Sequence, residues 1–168
     1  QHLYKILQIS LSIKSIVLDN IPNVTDYFWS LLYGCNTLTK MSVRNAPLME
    51  FLQLVSYWLM PSTLPLENLQ SFHLEDCPKL RAIHLDAPQL RKLVLRNLPM
   101  LTGCRLEKSP NLETLEIRAC DSLLSSSSVD TLRTKNGIDL KIEDCKLLKR
   151  VQDSWDHFVQ GQSLFEQK

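Results

Sequence analysis

A short apolar phrase restarts about every 21 residues through the middle of this chain, and a phrase with that period has few ways to fold. It reads Leu69, Phe72, Leu74, Cys77-Pro78, then Leu90, Leu93, Leu95, Leu98-Pro99, then Leu112, Leu115, Ile117, Cys120. Phe72 and Leu93 lie 21 residues apart, and Leu93 and Leu115 lie 22 apart. Weaker copies at Ile16-Val17-Leu18, Met41-Ser42-Val43 and Leu140-Lys141-Ile142 extend the array to six turns. A single turn of this length cannot cover its own apolar edge, so the turns must stack, and the stack is one continuous domain.

A second, shorter phrase lies between the main ones: Leu80, Ile83, Leu85, Ala87-Pro88, and Leu101, Cys104, Leu106, Ser109-Pro110. Each turn is therefore expected to carry two strands, one in a concave parallel sheet and one along the convex side. Prolines 78, 88, 99 and 110 mark the corners, because a fixed φ and a missing N–H suit the end of a strand. The longer spacings leave room for convex helices. Residues 24–33 end at Gly34, and 122–135 runs into an Asn136-Gly137 turn. From Pro47 to Met60, residues Leu48, Phe51, Leu52, Val55 and Leu59 recur at helical spacing. Tyr57 and Trp58 beside that stripe are candidate rim contacts, set against a helix that simply packs on the array.

The ends of such a stack need caps. Upstream, Leu7, Ile9, Leu11 and Ile13 alternate with polar residues, so 1–13 is read as a strand-like cap. Repeat turns fill 14–145. Downstream, Leu148, Val151, Trp155 and Phe158 share one helical face, so 146–159 is read as a capping helix and 160–168 as a loose tail. The single domain thus spans 1–159. Patterned sequence already at Gln1 is read as part of a longer chain.

Lys and Arg total 19 against 18 Asp and Glu, which gives no basic field for nucleic acid, and no apolar run reaches membrane-spanning length. A protein is the expected partner, with the chain a monomer or part of a hetero-complex. Cys77, Cys120 and Cys145 share one phase of the repeat, filled elsewhere by Ile21, Ala46 and Leu98. They read as core positions. Cys77 and Cys120 are two turns apart, too far for a disulfide, and an odd cysteine total without C-x-x-C spacing argues for reduced structural thiols rather than zinc. A reducing compartment, the cytoplasm, is the expectation.

The phrase Leu69-Gln70-Ser71-Phe72-His73-Leu74-Glu75-Asp76-Cys77-Pro78-Lys79-Leu80, looser at Leu112 to Cys120 and Leu140 to Cys145, resembles cysteine-containing leucine-rich repeats. Similar repeats occur in F-box proteins, in GALA-type bacterial effectors and at the ends of plant immune receptors. The resemblance covers Ile13 to Cys145. It implies an α/β solenoid with a concave parallel β-sheet and a convex side of short strands and helices, used as a recognition surface.

With that strand register, the concave face carries a central row of Val17, Ser42, His73, Val94, Glu116 and Lys141. Flanking it are Arg44, Glu75, Arg96 and Arg118 on one side and Lys92 on the other. Arg96 and Arg118, one turn apart, suit a partner carboxylate, because arginine pairs with it bidentately. The competing reading is a solvated face whose charges satisfy one another. His73 with Glu75 and Glu116 resembles an acid–base set, but no nucleophile accompanies it, so no catalytic role is expected. No cofactor or metal motif is present in the sequence: it has no Gly-rich phosphate loop and no spaced ligand set. Two readings follow. The chain is a target-recognition module of a larger adaptor or receptor, or it is a bacterial effector, or effector antagonist, that binds and blocks an enzyme.

Overall fold

The computed structural model describes residues 13–22, 32, 35–54, 66–107, 109–123 and 138–148, and in it the repeat phrase becomes a parallel β-solenoid. Nine strands follow in chain order: β1 (Ser15–Asp19), β2 (Lys40–Arg44), β3 (Phe51–Leu54), β4 (Ser71–Glu75), β5 (Ala82–Asp86), β6 (Lys92–Arg96), β7 (Gly103–Glu107), β8 (Thr114–Arg118) and β9 (Asp139–Glu143). A six-stranded sheet runs β1-β2-β4-β6-β8-β9, and a three-stranded sheet runs β3-β5-β7. All pairings are parallel and in step, so equivalent residues of successive turns lie side by side: Met41 on Phe72, Phe72 on Leu93, Leu93 on Leu115.

Alternation along each strand decides which residues enter the core. From the larger sheet, Met41, Val43, Phe72, Leu74, Leu93, Leu95, Leu115 and Ile117 are buried; from the smaller, Leu52, Leu54, Ile83, Leu85 and Cys104. They meet in one apolar cluster that also takes in the corner leucines Leu69, Leu80, Leu90 and Leu101.

The corners have a uniform construction. A buried small or apolar residue offers its carbonyl to the N–H three residues on, as in Cys77 to Leu80 (3.2 Å), Ala87 to Leu90 (3.0 Å) and Leu98 to Leu101 (3.1 Å). The proline sits second in each such turn, where its fixed φ matches the required geometry. The expectation of prolyl corners therefore holds at Pro78, Pro88, Pro99 and Pro110. The corner cysteines use their thiols as weak donors: Cys77 Sγ reaches the Glu75 carbonyl at 3.4 Å and Cys145 Sγ the Glu143 carbonyl at 3.1 Å.

One corner feature went unread in the sequence. Each strand of the larger sheet is followed by a residue with positive φ: Asn20, Asn45, Asp76, Asn97, Ala119 and Asp144. Asn and Asp tolerate this left-handed conformation better than other side chains, and five of the six positions carry one of them. The bend aims the N–H of that residue at the next turn. Asn45 donates to the Glu75 carbonyl (3.2 Å), Asp76 to Arg96 (3.2 Å) and Asn97 to Arg118 (2.9 Å), extending the ladder past the strands.

The helix expected over 47–60 is corrected by the structure over 47–54, the part that lies within the described residues. Phe51–Leu54 is β3, with Leu52 and Leu54 buried and Phe51 exposed. Leu48, placed on the buried stripe of that helix, is half exposed. The run is too short for periodicity to decide, and β5 decides it by offering a parallel hydrogen-bonding edge, with Leu52 beside Ile83 and Leu54 beside Leu85. Among the described residues the α-helical run is Lys146–Leu148, the first turn of the expected cap. The convex side there consists of strands and turns. The expected helices over 24–33 and 122–135 lie wholly or almost wholly outside the described residues, as do the strand cap before Ile13, the rest of the capping helix and the tail.

Candidate binding face

The outward residues of the six-stranded sheet form a continuous surface that no described element covers. Parallel sheets are usually packed on both faces. Here Val17, Arg44, Lys92, Arg118 and Lys141 are exposed, while Ser42, His73, Glu75, Arg96 and Glu116 are half-buried by one another. The register brings the expected candidates together: Arg44, Glu75, Arg96 and Arg118 occupy one row, and His73, Val94, Glu116 and Lys141 the next. Successive members of a row stand one strand spacing apart, about 4.8 Å.

The pairing of charges is uneven along this face. Arg96 grips Glu116 through Nη2 (2.6 Å) and Nε (2.8 Å), both on Oε1. That hydrogen bond pushes the Arg96 pKa up and keeps the guanidinium charged. Arg118 leans toward Glu143 (3.6 Å) and Asp144 (4.0 Å), and Lys141 toward Asp139 (3.4 Å), all largely solvated pairs of little energetic weight. Arg44 and Lys92 make no ion pair among the described residues. Val94 corrects the expected contact set: it is only 5% exposed, so it acts as a floor beneath its charged neighbours rather than as a contact.

His73 Nε2 lies 3.4 Å from Glu75 Oε2, a contact that alone would favour the imidazolium. Burial outweighs it, and together with the positive charges of Arg96 and Arg44 it lowers the His73 pKa from 6.5. The folded chain therefore releases this proton at lower pH than the unfolded chain does. Stability linked to neutral His73 is fully present above pH 6.5 and is lost as pH falls through the lower folded value. Urea titrations between about pH 5 and 7.5 should show stability falling with acid more steeply in the native protein than in His73→Gln. Parallel pH profiles for the two proteins would refute this assignment.

Beside this face, at the carboxyl ends of the strands, runs a trough of about 610 Å³. One wall is Asn20, Asn45, Asp76 and Asn97, and the other is the prolines two residues further on in each turn. Asn45 Nδ2 donates to Asp19 Oδ1 (2.9 Å) and Asn97 Nδ2 to Asp76 Oδ1 (2.5 Å), so the polar wall is tied from turn to turn. The trough was legible in principle: Asn20-Ile21-Pro22, Asn45-Ala46-Pro47, Asp76-Cys77-Pro78 and Asn97-Leu98-Pro99 repeat one pattern. Tyr57 and Trp58, the candidate rim contacts, lie outside the described residues.

Among the described residues no three His, Cys, Asp or Glu side chains gather as a metal site, and no helix is long and apolar enough to cross a membrane. No protein-family model, no curated protein and no solved structure matches the chain.

Proposed function

We propose that this chain is a non-catalytic protein-recognition module of the leucine-rich repeat class, holding a protein partner on the open face of its six-stranded sheet. In this reading it is the target-recognition part of a larger adaptor or receptor and works in the reducing cytoplasm. The observation that carries the proposal is a parallel-sheet face left uncovered among the described residues, bearing Arg44 and Lys92 without ion-pair partners among those residues, beside the fixed Arg96–Glu116 pair. Solenoids commonly bind on such extended surfaces. A preordered pair lowers the side-chain entropy lost on docking, and the exposed cations Arg44 and Lys92 favour a partner surface rich in carboxylates.

The test is affinity capture with the intact chain against Arg96→Glu combined with Arg118→Glu, and against Arg81→Glu, an exposed residue on the side of the three-stranded sheet. A protein recovered by the native chain and by Arg81→Glu should be lost, by about tenfold or more, with the double variant. Equal recovery by a folded double variant would overturn the assignment of the face.

A further inference from the structure

Two thiols that the recognition reading does not use stand on neighbouring turns. The register of β8 on β9 pairs Arg118 with Glu143, and the ladder continues as the Ala119 N–H donates to the Glu143 carbonyl at 3.0 Å. Cys120 and Cys145 each follow their strand end by two residues, so they stack one turn apart. Sheet spacing of about 4.8 Å falls within the Cα separations that disulfides span. Each thiol reaches back to the preceding turn, Cys145 Sγ to the Ile117 carbonyl (3.7 Å) and Cys120 Sγ to that of Leu95 (3.8 Å). Cys77, in the same phase, is separated from Cys120 by the turn that carries Leu98.

We propose that Cys120 and Cys145 are a peroxide-sensitive thiol pair that closes into a reversible disulfide and locks the last turn of the solenoid. Cys145 is the attacking sulfur. Its residue borders an opening of about 360 Å³ with Ala119, Asp121, Asp144 and Lys146, while its side chain is itself fully buried, so peroxide reaches the sulfur when the half-buried strand β9 opens locally. The neighbouring Cys120 thiol holds the Cys145 thiol below its ordinary value against the opposing effect of burial, while the Cys120 thiol is pushed up. The Cys145 thiolate attacks one peroxide oxygen, the O–O bond breaks, and the departing hydroxide takes a proton from solvent to leave as water. Cys145 is then a sulfenic acid. Cys120 sulfur attacks Cys145 sulfur, its proton leaves with the displaced hydroxyl as a second water, and the S–S bond forms. Two thiols and one peroxide give one disulfide and two waters, the sulfurs losing two electrons to oxygen.

The lock acts at the strand whose inward residues are least buried among the described strands. The inward residues of β9, Leu140 and Ile142, are only half-buried, whereas their counterparts in β8 are fully buried. Linking residues 25 apart in sequence restricts the unfolded chain and holds this edge strand in place.

The experiment treats the full chain with a small excess of hydrogen peroxide, removes the peroxide, alkylates under denaturing conditions and maps the peptides by mass spectrometry. The expected result is one linked pair, Cys120 with Cys145, lighter by two hydrogens and reversed by dithiothreitol, with Cys77 alkylated. The melting temperature should rise by about 5–10 °C on oxidation and not in Cys145→Ser. Alkylation of both cysteines, a sulfinic acid at Cys145 without cross-linking, or a link from Cys120 to Cys104 would each overturn the proposal.

Discussion

Phe72→Ala should destabilise the fold more than any other single truncation in the larger sheet, by about 3–5 kcal/mol. Phe72 is fully buried and heads the largest buried side chains. It lies in β4, between β2 and β6, with Met41 on one side and Leu93 on the other. Two kinds of loss add together. Aromatic surface returns to water, and a cavity remains because the flanking turns are fixed by their own ladders and cannot collapse into it. Stacked turns are stabilised by their nearest neighbours, so a weak interface in the middle also uncouples the two halves. Against a total stability of about 5–15 kcal/mol, the variant should show a much lower urea midpoint or a transition split in two. Phe51→Ala provides the contrast, since that ring is 53% exposed and its loss should leave the midpoint nearly unchanged. Equal effects for the two would mean that Phe72 is not at the centre of the stack.

A single serine inserted after Val94, in the middle of β6, should be still more damaging. Side chains alternate across a strand, so one added residue turns everything on one side of it to the opposite face. Either Leu95 is driven outward while Arg96 turns into the core, or Leu93 moves out while Lys92 turns in. Burying such a cation without a partner costs several kcal/mol, and the displaced leucine forfeits about 2 kcal/mol of apolar burial. Both neighbours of β6 are affected, because β4 and β8 pair with it through all five of its residues. The same serine added within the Ser125–Ser128 run, a polar stretch between β8 and β9 in the sequence, should cost little. Circular dichroism with urea titration separates the two outcomes. A cooperative, native-like transition for the β6 insertion would contradict the register.

The strands of the larger sheet were legible because their signal combines two agreeing features: alternation inside five residues and recurrence of the same phrase at a fixed distance. Ile16-Val17-Leu18, Met41-Ser42-Val43 and Leu140-Lys141-Ile142 were weak alone and became readable by alignment with Phe72-His73-Leu74. The same alignment, carried to the smaller sheet, places Met49, Leu52 and Leu54 on Leu80, Ile83 and Leu85, and β3 follows from it. Helical spacing of Leu48, Phe51 and Leu52 competed with that reading, and four residues cannot choose between the two periods. The sheet's second face was readable to the level of rows. Which charges pair within those rows was not, since Glu116 stands beside both Arg96 and Arg118 in sequence logic and only side-chain geometry joins it to Arg96. The burial of Val94 belongs to the same class, being decided by neighbours across turns.

The left-handed residue after each strand of the larger sheet bears on how a chain like this changes length over generations. Because five of the six, all but Asp144 after the last strand, hand their N–H to the following turn in the same way, copying or deleting a whole turn in frame creates no new kind of bond and leaves none unmade. The chain can therefore be edited in units of one turn, with the joints set by the corners rather than by the strands. The unequal intervals fit this. Spacings of 21 and 22 residues separate β4, β6 and β8, while the 31 residues from β2 to β4 place their surplus outside the larger sheet, where inherited insertions leave its register untouched.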